Sequence, residues 1–113
     1  MRLRHLTAAL ALAAALLLGC TTDSPDVQVR VTAEGAGAFS GAIGGFNGTR
    51  SVSGQGFGQY TIPGGGNLPT YTAIFQKGSG GDERLTVTVD CPKGTQEEST
   101  TAPYGVAQVN CKV

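Results

Sequence analysis

Residues 84–91 read Arg-Leu-Thr-Val-Thr-Val-Asp-Cys. Leu85, Val87, Val89 and Cys91 fall on one side of the alternation, and Arg84, Thr86, Thr88 and Asp90 fall on the other. A period of two with a single apolar side marks a β-strand that buries one face. The pattern recurs on both sides of this stretch. Val27, Val29 and Val31 alternate with Gln28, Arg30 and Thr32, and Ala107, Val109, Cys111 and Val113 alternate with Gln108, Asn110 and Lys112. These three segments decide the class, because a one-sided strand needs a second layer to cover it.

Between them the periodicity is weaker. Phe39 and Ile43 can share a face, as can Tyr60 and Ile62. In TYTAIFQ, residues 70–76, either Tyr71/Ala73/Phe75 or Thr72/Ile74/Gln76 can point inward. Gly and Pro break these runs at Gly44-Gly45, Asn47-Gly48, Pro63 to Gly66 and Gly78 to Gly81, which are turn and hairpin signals. TQEEST, residues 95–100, is polar throughout and reads as an exposed edge strand. No stretch after residue 26 keeps helical periodicity long enough for a helix. The expectation is an all-β domain over 27–113. It is a small antiparallel β-sandwich of six to eight strands, immunoglobulin-like or similar, with a small open barrel as the alternative.

The other end of the chain has a different character. Arg2 and Arg4 precede an unbroken Ala/Leu stretch from Ala8 to Leu18. That is shorter than the roughly 20 residues a membrane-spanning helix needs, and it has the length of a signal-peptide apolar region. It ends Leu17-Leu18-Gly19-Cys20, which resembles the bacterial lipobox, although Leu18 stands where Ala, Ser, Thr or Val is commoner. The resemblance implies a lipoprotein signal at 1–19, cleavage after Gly19 and a diacylglycerol thioether on Cys20. Two acyl chains, at about 0.8 kcal/mol per buried methylene, suffice for stable anchoring. Residues 20–26 would form a polar tether. With Thr21 rather than Asp after the cysteine, the resemblance implies an extracytoplasmic envelope surface, the outer membrane where the host has one.

Processing would change the charge and the cysteine count. Losing Arg2 and Arg4 leaves six basic against eight acidic side chains, so no basic patch supports nucleic-acid binding. It also removes His5, the chain's one histidine. Of three cysteines, Cys91 and Cys111 remain free to pair, and an oxidising compartment favours a bridge between them. Both lie on the apolar sides of their segments.

A further resemblance covers most of residues 27–113. The order TAEG, GAFSG, IFQK, LTVTVD and STTAPYGVAQVNC is similar to small actinobacterial exported proteins of the MmpS kind. The likeness implies a compact β-sandwich that assists a lipid-exporting transporter. Members of that family are usually held by an N-terminal helix, whereas here the apolar stretch ends in a lipobox-like cysteine. No site residue carries over.

Without His or a free thiol, Ser-His-Asp, Cys-His and imidazole or thiolate zinc arrangements cannot be built. Adjacent Glu97 and Glu98 would point to opposite faces of a strand, so they do not converge as a glycosidase pair. The glycine runs lack the following helix that phosphate loops require. No catalytic residue, metal site or cofactor is therefore expected. Phe46 and Phe57, each beside glycines, are the candidates for exposed contact residues. The leading expectation is a non-catalytic binding or accessory module with an envelope protein partner, a membrane transporter being the class the resemblance implies. The alternative is a structural surface lipoprotein with no defined ligand.

Overall fold

A computed structural model of the protein describes residues 25–45, 48–65 and 71–111. The expected signal, Cys20, most of the expected tether and Phe46 lie outside the described residues. Eight strands follow in order: β1 Val27–Ala33, β2 Ala38–Gly45, β3 Gly48–Gln55, β4 Phe57–Ile62, β5 Thr72–Lys77, β6 Leu85–Cys91, β7 Gly94–Thr100 and β8 Val106–Asn110. Every pairing is antiparallel, and hydrogen bonding runs β7-β6-β1-β4-β3-β2-β5-β8. β3 and β4 meet only at Gln55 and Phe57, on either side of a turn at Gly56. With φ at 76°, Gly56 occupies a left-handed conformation that costs a side-chain-bearing residue energy. The eight strands thus divide at this corner into two four-stranded sheets, β7-β6-β1-β4 and β3-β2-β5-β8, packed as a sandwich.

The core follows from alternation. Val27, Val29, Val31 and Ala33 of β1 face inward with Leu85, Val87, Val89 and Cys91 of β6. From the second sheet come Phe39, Ile43, Ala73, Phe75, Ala107 and Val109, with Tyr71 just before β5. The choice left open in TYTAIFQ goes to Tyr71/Ala73/Phe75. Phe75 sits at the centre, edge-on to Phe39 at 5.8 Å between centroids and stacked on Tyr60 at 6.0 Å. A Cβ on Gly41, opposite Phe75, would lie 2.7 Å from its ring and collide with the Ile74 carbonyl, so only glycine lets that ring close over β2.

The two sheets are also joined covalently. Cys91 ends β6 and Cys111 follows β8, and they form a disulfide with Cα atoms 5.4 Å apart. Nearby, the Cys111 N–H donates to the Tyr71 carbonyl at 2.9 Å, and the Tyr71 hydroxyl donates to the Pro25 carbonyl at 2.5 Å. The bridge and the first described residue therefore share one end of the sandwich. At the opposite end a 3-10 turn, Glu34–Ala36, follows β1, with Gly35 and Ala36 at φ 66° and 56°. Nothing in the alternation foretold this turn.

Candidate functional site

The outward faces of the two sheets differ. On the first, Thr32, Thr86, Arg30, Thr88, Gln28 and Asp90 stand in register across β1 and β6. Arg30 grips Asp90 with two hydrogen bonds, at 2.8 and 3.1 Å, and Thr95 donates to the same carboxylate at 3.2 Å. The guanidinium bond is the main cause holding Asp90 below the usual carboxylate range. Thr88 donates to Glu97 at 3.1 Å and Thr61 to Gln28 at 3.2 Å. This face is closed over by its own polar side chains.

The second sheet leaves space instead. Ser53, Ser40, Gln76 and Val106 stand side by side across β3, β2, β5 and β8, and Ser51, Ala42 and Ile74 form the next row. Because serine and alanine stop short of the neighbouring side chains, an open groove of about 590 Å³ runs over these rows. Its walls combine hydroxyls with Ala42, Ile74 and Val106, and Val106 is 51% exposed. No Asp or Glu occurs in β2, β3, β5 or β8. The groove can hold an uncharged or partly apolar surface against hydroxyl and amide groups.

Phe57 is 57% exposed, as its place beside Gly56 suggested, and it opens β4 opposite Thr32. Tyr104, at 58% exposed, was not singled out by sequence reasoning. It lies at φ 51° in the turn before β8, where its N–H donates to Ser79 O at 2.9 Å and its carbonyl accepts from Gln76 Nε2 at 3.1 Å. Phe57, Tyr104 and Val106 all belong to the end of the sandwich remote from Pro25.

Lys77 was also missed. It is 4% exposed, on the same inward alternation as Phe75, and so could have been found by extending that pattern two residues. Its Nζ donates to Gly81 O at 2.5 Å and Thr101 O at 3.3 Å, with Glu83 Oε1 at 3.8 Å. The Ser79 hydroxyl donates to Glu83, and that bond is the main reason the Glu83 carboxyl stays below its ordinary range. The cluster ties the loop after β5 to the loop before β8.

Two further acids are held apart from these clusters. Asp26 accepts from the Gly64 N–H and Glu34 from the Arg84 N–H, at 2.7 and 2.8 Å. Among the described residues no three His, Cys, Asp or Glu side chains converge as a metal site would require. Comparison with protein-family models, with curated proteins and with solved structures returns no match for this chain.

Proposed function

We propose that this chain is a lipid-anchored envelope lipoprotein whose domain acts as a non-catalytic binding or accessory module. It is held to the membrane through Cys20 and engages a protein partner with the outward face of β3-β2-β5-β8. The observation that carries the reading is the inequality of the two outward faces. One is spent on the Arg30–Asp90 ion pair and on hydrogen bonds among its own side chains, and the other keeps an open groove floored by small residues. An exposed valine beside unoccupied concave surface is what a contact site offers, since apolar groups there gain most from losing water. The lipobox-like end and the tether supply the anchoring half. A membrane transporter is the partner class that the resemblance to the MmpS kind suggests.

Photo-crosslinking in intact envelopes tests this. A photoreactive side chain at Val106 should give one discrete protein adduct, and the same probe at Thr88 on the other face should give none. Equal labelling at both positions, or none at either, would remove the groove as the contact face.

A further inference from the structure

We propose that the free edge of β3 is a strand-addition site for an extended polypeptide segment whose C-terminal end is acidic. The inference rests on the binding-module reading and names the partner's chemistry. Along one edge β3 pairs with β2 from Gly48 to Gln55, but along the other it meets β4 only at Gln55. Among the described residues, the backbone groups from Thr49 to Gly54 on that second edge have no ladder partner. Two long side-chain bonds span the gap: Tyr60 Oη donates to Ser53 O at 3.4 Å, and an Arg50 guanidinium nitrogen donates to Thr61 O at 3.5 Å. Both exceed the usual 2.9–3.0 Å of a backbone ladder, so an incoming strand offers better partners. Edge strands ordinarily resist such pairing with charge or proline. β7 carries Glu97 and Glu98, whereas β3 is Gly-Thr-Arg-Ser-Val-Ser-Gly-Gln.

Direction and charge follow. A strand antiparallel to β3 runs from the Gln55 end toward Gly48, so its C-terminal part arrives at Arg50. There a cavity of about 230 Å³ lies among Gly48, Thr49, Arg50, Thr61 and Pro63. Arg50 is the one exposed ionic side chain in β2, β3, β4, β5 and β8, which contain no acid. The acids of the domain sit on β6, β7 and the loops, so they repel an acidic segment from the β7 edge, while the β8 edge, Val-Ala-Gln-Val-Asn, offers no cation to attract one. Outward side chains of the added strand stand beside Ser51 and Ser53, whose small size leaves them room to lie over Ser40 and Ala42 in the groove.

The test uses the full processed chain in detergent micelles and three synthetic peptides of about ten residues, a long strand's length. One alternates Val or Phe with Thr and ends in Asp-Glu. The second has the same body ending in Lys-Lys, and the third scrambles the first. Amide hydrogen exchange is followed by NMR. The acid-ended peptide should slow alternate amides of residues 49–54 by about tenfold at saturation. The Lys-ended peptide should need about two- to fivefold more to reach the same protection, as an exposed ion pair allows, and Arg50→Glu should reverse that order. Protection of β7 or β8 instead, equal protection by the scrambled peptide, or unprotected β3 amides with all three would overturn strand addition. If β3 stays unprotected while Val106 captures a partner in envelopes, strand addition falls and the groove reading stands. Protection of β3 with silence at Val106 supports strand addition and removes the groove.

Discussion

Lys77 shows how a single residue is committed by its place in the alternation. A lysine on an inward position must find partners for its amine, and it takes two loop carbonyls and approaches one carboxylate. Lys77→Met keeps most of the volume but leaves Gly81 O and Thr101 O without that donor. Stability should fall by about 1–3 kcal/mol, as for other carbonyls stripped of a partner, and limited proteolysis should shift to residues 78–84. Unchanged urea midpoints would show that the loops hold without the amine. Asp90 and Glu83 make a pH prediction. Both carboxyls titrate below their ordinary range in the folded protein. Their contribution is complete above the unfolded values, about 4, and is lost as pH falls through the lower folded values. The melting temperature should therefore drop on acidification below about pH 4. An Asp90→Asn variant should be less stable than the parent at pH 6 and approach it in strong acid.

At the scale of elements, the strands that were legible are those with one apolar side. β1, β6 and β8 were readable because valine alternates there with polar residues and burial enforces the register. The inward face of β5 was not readable, since Ala73, Ile74 and Phe75 are apolar on both sides, and packing against Phe39 and Tyr60 made the choice. β3 gave no signal because Ser, Gly and Thr carry little hydropathy, so the strand that bounds the candidate site was invisible as a strand. Its pairing with β2 is a property of the backbone. The groove was hidden for the same reason, as it consists of what small side chains leave empty. Cys91 and Cys111 were legible in both partner and face, and their bridge joins an element of each sheet. With 20 residues of separation, the chain-entropy relation assigns the bridge about 3 kcal/mol. Replacing both cysteines with serine should lower the unfolding free energy by about that amount in urea titrations, and a loss near zero would mean that the sheets hold each other without it.

For the whole molecule the arrangement is polar from end to end. Pro25, the disulfide and the start of β1 share one end, while Phe57, Tyr104 and Val106 lie toward the other. A chain held through Cys20 would set the first end toward the membrane and present the second, with the upper part of the groove, to whatever lies beyond. The expected anchor, residues 20–24 of the expected tether and Phe46 lie outside the described residues, so this orientation rests on the proposed covalent chemistry at Cys20. Intact-mass spectrometry of the protein taken from its native membrane tests that chemistry directly. The account predicts a chain beginning at Cys20, heavier by at least a diacylglycerol and lighter by two hydrogens for the Cys91–Cys111 bridge. A full-length mass still carrying Met1, or a chain without acyl mass, would contradict it.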